Sequence, residues 1–236
     1  MRKKLLAAIA LSIVLSLGLV GVAWGSESLT TNAAADGSWQ VNTKAGSYLT
    51  KSEKSLFDKA TRKLVGASYT PVAVLAKQVV AGTNYAYFCK AKTATANPKT
   101  SWKVVVVYKN LKGKAKVIAV NNFNCNSIST LKKPASTAGM AGAWTCKSYT
   151  GASKGIPKAA QSAIDKAKKK YKKVSLTPLA LLSSQVVAGK NYRFLCSGKA
   201  SGSSATFYAV DVYQDLKGTA KITSCKPINM SKYLKH

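Results

Sequence analysis

The side chains that carry most enzyme chemistry are scarce in this sequence. His236 is its only histidine, which removes Ser/His and Cys/His catalysis and any multi-histidine metal site. No two of the seven Asp and Glu residues recur as an acid–base pair in corresponding places of the two halves. The cysteines show no C-x-x-C spacing, and no glycine-rich phosphate loop follows a predicted strand. We therefore expect no enzyme activity, no metal and no cofactor, and a function based on binding.

One apolar pentapeptide occurs twice. QVVAG stands at Gln78–Gly82 and again at Gln185–Gly189, each time followed by x-Asn-Tyr. Two uncharged valines beside a glycine that closes a tight turn would form a rigid, apolar hairpin end suited to binding. The simpler interpretation is that QVVAG is how this fold makes a hairpin, with the valines packed and the glycine turning. The sequence leaves both interpretations open.

The internal similarity extends well beyond the pentapeptide. Three pairs of segments correspond, namely Thr70–Cys89 with Thr177–Cys196, Val107–Ile118 with Val212–Thr223, and Gly-Ser-Trp at Gly37 with Gly-Ala-Trp at Gly142. The repeat predicts two domains of roughly 100 residues each, at 30–130 and 142–236. Residues 131–141 are small, polar and turn-rich, and are the predicted linker.

The chain begins with the pattern of a signal peptide. Arg2, Lys3 and Lys4 precede a long apolar run, and small residues follow it, so residues 1–25 are the predicted leader, cleaved after Ala23 or Gly25. This pattern predicts a secreted or cell-surface protein. The apolar run is also long enough for the alternative of an uncleaved membrane anchor.

Each repeat combines one predicted helix with several strands. In the second repeat an apolar stripe recurs at helical spacing, formed by Ile156, Ala159, Ala160, Ala163, Ile164, Ala167 and Tyr171. In the first, Thr50 and Glu53 form a predicted capping box ahead of Leu56, Phe57, Ala60 and Leu64. β-Branched and aromatic runs broken by turns follow each helix. The predicted fold class is α+β, with each domain packing one helix on a four- to five-stranded antiparallel sheet.

The alignment of the repeats also predicts the two faces of each sheet. It places Asp211 opposite Val106, and because a lone carboxylate is expensive to bury, we expect this face to be open. The helix-covered residues would then be Val105, Val107, Val210 and Val212. Trp102, Val104 and Val106 would form an exposed apolar strip, which more often packs against a neighbouring domain than binds a ligand. Arg193 is placed facing out, whereas Cys89, Tyr192, Phe194 and Cys196 are placed facing in.

The sequence has five cysteines, which export would allow to form disulfides. An odd number leaves at least one thiol unpaired within the chain. The symmetrical guesses are Cys89 with Cys125 and Cys196 with Cys225, leaving Cys146. A buried cysteine can equally be a small hydrophobic residue.

The chain is strongly basic, with a formal net charge of +30 at pH 7. Without residues 1–25, 34 Lys and Arg residues face seven Asp and Glu residues, and only Arg62 and Arg193 are arginines. Lysine is a hydrated point charge without the planar fork that arginine uses to read bases. The composition therefore favours loose attraction to anionic surfaces over sequence-specific recognition of nucleic acid.

The order of the segments resembles the cystatin superfamily of cysteine-peptidase inhibitors. One helix, a strand ending in QVVAG, x-Asn-Tyr opening the next strand and a second hairpin follow one another in both repeats. The stefin branch is the most similar, because its second hairpin tip is Leu-Pro-Gly and Leu-Lys-Gly occupies that place here, at Leu111–Gly113 and Leu216–Gly218. The resemblance covers most of each repeat, from the helix to the last strand.

The resemblance implies a function and a set of contact residues. In that family a glycine segment and two hairpin tips form a wedge that blocks the active-site cleft of papain-like peptidases without reacting. The implied contacts here are Gly37, Gln78, Val79, Val80, Ala81, Gly82, Leu111, Lys112, Gly113, Gly142, Gln185, Val186, Val187, Ala188, Gly189, Leu216, Lys217 and Gly218. The expected partner is therefore a papain-like cysteine peptidase.

Two other functions compete with inhibition. The charge and the lysine run Lys166–Lys173 would concentrate a secreted adhesion module on anionic polymers, such as wall polymers, acidic glycans or extracellular DNA. The remaining alternative is a purely structural tandem unit within a larger surface assembly.

Overall fold

The computed structural model describes residues 37–42, 49–125, 142, 144–145 and 156–236. These residues form two antiparallel sheets with one α-helix each, so the predicted α+β class is confirmed. The predicted leader, the linker and the domain ends near residue 130 lie outside the described residues. Within those ranges, no helix is both long and apolar enough to cross a membrane.

Repeat 1 has the predicted order of one strand, one helix and two hairpins. Its elements are β1 (Trp39–Val41), α1 (Lys51–Thr61), β2 (Ala67–Val80), β3 (Gly82–Thr93), β4 (Thr100–Lys109) and β5 (Ala115–Phe123). The strands form the first sheet in the order β1-β2-β3-β4-β5. Every neighbouring pair is antiparallel, which places both hairpin turns at one end of the sheet.

Repeat 2 follows the same plan. Its elements are α2 (Lys158–Lys170), β6 (Val174–Val187), β7 (Gly189–Ala200), β8 (Thr206–Gln214) and β9 (Ala220–Pro227). An isolated bridge between Thr145 and Ser184 stands where β1 pairs with β2 in repeat 1. Bulges occur at corresponding places in both sheets, for example after Val106 and after Asp211. Because a bulge bends a strand, the two sheets share their local curvature.

Helix α1 begins at the predicted capping box. The Thr50 hydroxyl accepts a hydrogen bond from the Glu53 amide, and the Glu53 carboxylate accepts one from the Thr50 amide. Burial alone would raise the pKa of Glu53, but hydrogen bonds from Lys77 and Thr50 outweigh it and lower that pKa. Phe57 is buried, whereas Leu64 is exposed because the helix ends at Thr61.

The apolar stripe of α2 is largely confirmed. Ile156, Ala160, Ala163, Ile164 and Ala167 are buried against the second sheet. Ala159 is exposed, contrary to the prediction, because it lies at the edge of the stripe in the first helical turn. Tyr171 caps the helix and is half-buried.

The helix-covered faces of both sheets are those predicted. Val105, Val107 and Cys89 pack with Phe57 of α1 in one core. The residues that pack under α2 in the other core include Val210, Val212, Tyr192, Phe194 and Cys196. The two-residue period of a strand therefore assigned these side chains correctly.

The opposite faces, predicted to be open, are buried instead. Trp102, Val104 and their neighbours on the first sheet join Leu182, Leu195 and Phe207 of the second in one continuous core. The Trp102 indole donates a hydrogen bond to the Leu182 carbonyl at 3.2 Å. The apolar strip thus packs against the neighbouring repeat, which was the expected use of such a surface. Each large side chain buried there contributes about 1.5–3 kcal/mol relative to exposure.

The prediction that Asp211 and Arg193 face solvent is wrong, because the Asp211 carboxylate is not alone. Both residues are about 97% buried, on neighbouring strands. Arg193 Nε donates to Asp211 Oδ1 at 2.7 Å, and its Nη2 donates to Oδ2 at 3.2 Å. Arg193 Nη1 donates to the Cys125 carbonyl of repeat 1 at 3.0 Å. The paired charges thus connect the two repeats.

A C-terminal segment completes the core between the sheets. Ile228, Met230, Tyr233 and Leu234 are buried there, around a short 3₁₀-helix at Met230–Lys232. The Asn121 side chain of β5 donates to the carbonyls of Tyr233 and Lys235 at 2.9 and 2.8 Å. The two sheets and this segment lie in one compact unit, Ala34–His236.

Both symmetrical disulfide guesses are wrong, because among the cysteines that the structure describes Cys89 is not bonded to Cys125 and Cys196 is not bonded to Cys225. Cys89 on β3 packs under α1, whereas Cys125, just beyond β5, lies in the core between the sheets. Cys196 on β7 and Cys225 on β9 are separated by β8. Strands two apart are about 9.5 Å distant, which exceeds the Cα separation that a disulfide spans. Cys146 lies outside the described residues.

The buried ion pair predicts an asymmetric mutational response. We expect Asp211→Ala to lower the free energy of unfolding by about 3–5 kcal/mol, because it leaves the Arg193 charge buried and unpaired. The double variant Arg193→Leu, Asp211→Val should recover at least half of that loss. Repeat 1 carries Ala86 and Val106 in these places. Denaturant unfolding of both variants measures the difference, and equal losses would contradict it.

Candidate functional site

The two QVVAG segments lie at hairpin ends. Val80 pairs with Gly82 across Ala81, and Val187 pairs with Gly189 across Ala188. The second hairpin of each repeat turns through Leu111–Gly113 or Leu216–Gly218. We call Gly37, Gln78–Gly82 and Leu111–Gly113 tip region 1. Tip region 2 is Gly142, Gln185–Gly189 and Leu216–Gly218.

Apolar side chains project from both tip regions. The exposed fractions are 51% for Val79, 39% for Val80, 66% for Val186, 40% for Val187, 85% for Leu111 and 84% for Leu216. The purely structural interpretation of QVVAG required these valines to be packed. Instead, their side chains are substantially exposed. These side chains are six of the ten large hydrophobic side chains exposed in the described residues, and they occur in equivalent pairs in the two repeats.

A close approach fixes each first hairpin against the second. Gly82 has φ 127°, and a Cβ there would lie 2.3 Å from the Lys109 carbonyl oxygen. Gly189 has φ 117°, and a Cβ there would lie 2.3 Å from the Gln214 carbonyl oxygen. Only glycine fits such a contact at positive φ. The last residue of QVVAG therefore allows the backbones of the two hairpins to approach each other closely.

A tyrosine hydroxyl strengthens the same junction. Tyr108 Oη donates to the Ala81 carbonyl at 2.6 Å, and Tyr213 Oη donates to the Ala188 carbonyl at 2.6 Å. Each bond runs from the strand of the second hairpin to the bend of the first. The bends are therefore held in place although their side chains face solvent.

A pair of amides ties the glycine segment to the first hairpin. Gln78 Nε2 donates to the Gly37 carbonyl at 2.7 Å, and Asn84 Nδ2 donates to Gln78 Oε1 at 2.7 Å. In repeat 2, Gln185 Nε2 donates to the Gly142 carbonyl at 2.5 Å. Asn191 Nδ2 donates to Gln185 Oε1 at 2.8 Å. The glutamine of QVVAG and the asparagine of x-Asn-Tyr thus act together.

The turns of the second hairpins are built alike. The Lys114 amide donates to Asn110 Oδ1 at 2.9 Å, and the Thr219 amide donates to Asp215 Oδ1 at 2.8 Å. Such side-chain bonds to the backbone stabilise tight turns. In both repeats the middle residue of Leu-Lys-Gly is an exposed lysine, Lys112 or Lys217.

The structure thus brings together all three predicted segments of each repeat. The glycine segment, the first hairpin and the second hairpin form one edge at the end of each sheet, held by side-chain and backbone contacts. Its exposed side chains are mostly apolar, and hydrogen bonds join its segments. It can fill a groove of complementary shape without any reacting group.

The thiols of Cys89, Cys196 and Cys225 are poorly suited to nucleophilic chemistry. Burial raises the pKa of the Cys89 and Cys196 thiols well above their usual range. Burial also raises the pKa of Cys225, although a hydrogen bond from Tyr171 opposes this. Among the residues that the structure describes, no group of three or more His, Cys, Asp or Glu side chains could hold a metal ion.

The sequence matches no protein-family model, and it matches no curated protein.

Several contacts of the tip regions were missed in the sequence. Tyr108 and Tyr213 lie in strands, where a tyrosine is ordinary, so nothing marked their bonds to the first hairpin. Asn84 and Asn191 were part of the repeated motif without an assigned role. Their spacing of six residues from Gln78 and Gln185 was the available signal, because it places the two amides opposite each other across a tight hairpin.

The amide pair predicts the behaviour of a single variant. Gln78→Glu still accepts from Asn84 but cannot donate to the Gly37 carbonyl, so β1 should open more often. We expect amide exchange at residues 39–41 to be about tenfold faster, the value of one hydrogen bond. Gln40→Glu, on the exposed side of the same strand, is the matched control with the same change of charge. Equal exchange in both variants would contradict the assigned role of Gln78.

Proposed function

We propose that the chain is a tandem inhibitor of papain-like cysteine peptidases with a cystatin-like fold, binding non-covalently through its two tip regions. Each tip region would enter the active-site cleft as a wedge. Export through the predicted leader belongs to the same proposal, since it would place the protein where secreted peptidases act.

One observation carries the proposal. The glutamine, glycine and asparagine of the repeated motif make contacts within the fold, which explains their presence. The side chains of the motif's valines are exposed instead, at Val79, Val80, Val186 and Val187. Contiguous exposed apolar residues mark interaction sites more often than chance. Their occurrence at the same edge in both repeats favours a binding role.

The geometry also suits inhibition without cleavage. Hydrogen bonds from Tyr108 and Gln78 hold the bend and the glycine segment, so little conformational freedom is lost on binding. Leu111 extends the apolar edge from the second hairpin. A tight hairpin bend offers a peptidase no extended backbone for attack, so the bound chain would remain intact.

The charge on α2 favours a second candidate, the adhesion to anionic polymers. The lysines exposed along this helix and the turn after it are Lys158, Lys166, Lys169, Lys170, Lys172 and Lys173. Asp165 is the only acidic residue in α2. Such a face attracts polyanions through released counterions.

The inhibitor proposal is tested with paired valine variants. We expect the unchanged protein to inhibit a papain-like peptidase with a Kd between about 1 nM and 1 µM. The quadruple variant with Asp at residues 79, 80, 186 and 187 should lose at least a hundredfold in affinity, because charges would enter an apolar contact. Its stability should change little, since these side chains are exposed.

The matched control is Val65→Asp, which places a charge on another exposed valine. It should inhibit like the unchanged protein. Full activity of a panel of papain-like peptidases in excess inhibitor would overturn the proposal.

Adhesion predicts a different result. The protein should be retained on heparin and eluted by salt, and replacing Lys169, Lys170, Lys172 and Lys173 by Gln should lower the eluting salt concentration clearly. The control exchanges four lysines of the β4–β5 hairpin, Lys103, Lys109, Lys114 and Lys116. An equal fall in the eluting salt concentration for both sets would show that retention depends on the overall charge rather than on a site at α2. If the unchanged protein is not retained on heparin at low salt, this candidate fails.

A further inference from the structure

The proposed wedge uses only the glycine of each Gly-x-Trp segment. The tryptophan that follows, Trp39 or Trp144, is the strongest repeated feature left without a role. Neither ring belongs to the core under its own helix. Each ring instead contacts a residue that takes part in the packing between the two repeats.

Trp144 lies against the buried ion pair. The guanidinium carbon of Arg193 is 4.4 Å from the centre of the Trp144 ring, within the range of a cation–π contact. Asp211 and the Cys125 carbonyl hold that guanidinium from two other sides. Because Cys125 belongs to repeat 1, the cation on which Trp144 rests is held in part by the other repeat.

Trp39 packs against the core between the sheets and contacts the end of repeat 2. Its ring meets the His236 ring edge to face, with centres 5.9 Å apart. The segment carrying His236 is held by Asn121 of repeat 1 through the carbonyls of Tyr233 and Lys235. The glycine segment of tip region 1 therefore rests on residues of repeat 2.

We propose that packing between the repeats positions the glycine segment of each tip region, with Trp39 and Trp144 as the positioning residues. This inference rests on the proposed function for its inhibitory consequence. Each wedge is then complete only while the two sheets are packed together. Val79 and Leu111, or Val186 and Leu216, remain presented by their own repeat.

This division predicts which rate constant changes. The exposed hairpins make the first encounter with a peptidase, so loosening a glycine segment should leave the association rate nearly unchanged. The bound wedge would lose the pre-ordering of its third segment, so dissociation should become faster.

The test uses two proteins that each keep one working tip region. One carries Val186→Asp with Val187→Asp, and the other carries Val79→Asp with Val80→Asp. Into each we introduce Asn121→Asp, which keeps the size of the side chain but removes both donated bonds. Separately, each receives Arg193→Leu with Asp211→Val, which removes the cation under Trp144.

We expect Asn121→Asp to raise dissociation from tip region 1 about five- to tenfold and to leave tip region 2 unchanged. The double substitution Arg193→Leu with Asp211→Val should raise dissociation from tip region 2 and leave tip region 1 unchanged. Amide exchange measures positioning without any peptidase, and it should accelerate at residues 39–41 in the first case and at Thr145 in the second. Thr145 is a suitable probe because its amide donates to the Ser184 carbonyl at 2.8 Å.

Each result decides the inference. Equal effects on both tip regions would indicate general destabilisation and overturn it, and so would unchanged dissociation and exchange. If neither parent protein inhibits, the proposed function fails. In that case the amide-exchange data alone test whether the packing between the repeats positions the glycine segments. Site-selective acceleration of exchange would support this positioning, and unchanged exchange would overturn it.

Discussion

The missing side chain at Gly82 and Gly189 is the constraint on which both tip regions depend. A Cβ at either position would lie 2.3 Å from a carbonyl oxygen, so there is no room for even a methyl group, and the positive φ makes any other residue strained. With the two hairpins held this closely, a tyrosine reaches the bend of the first hairpin and a glutamine reaches the glycine segment. Exposed valines at the bend thus stand on a rigid base, which is what recognition by shape requires.

The second determinant is the burial of the faces away from the helices. One helix covers only one face of a sheet, and the other face of repeat 1 carries Trp102, Val104 and Phe88. Repeat 2 supplies the cover, and the charged pair Arg193 and Asp211 is set into the apolar surface. Such a pair adds less stability than apolar residues would, but it requires its hydrogen-bond partners to be correctly placed. It therefore favours one register between the sheets over others.

The local features were predictable from sequence, whereas contacts between the repeats were not. The capping box of Thr50 and Glu53, the hairpins at QVVAG and the helix-covered valines follow from patterns within a few residues. The burial of Asp211 depends on Arg193 eighteen residues away and on a carbonyl of the other repeat. The disulfide guesses paired cysteines by symmetry, without the strand order that separates them. Trp39 and Trp144 occupy corresponding places in the two Gly-x-Trp segments of the sequence, but their contacts depend on how the two sheets pack.

The C-terminal segment has a consequence for biosynthesis. Ile228, Met230, Tyr233 and Leu234 follow the last strand of repeat 2, yet they cover a sheet whose strands all lie before residue 124. During translation from the N-terminus, that sheet stays partly uncovered until residues 228–234 have been synthesised. The nascent first repeat would then expose Trp102 and Phe123 to water, a state that holding chaperones recognise. Late closure of this kind leaves the first repeat without its complete core until the second repeat has been synthesised.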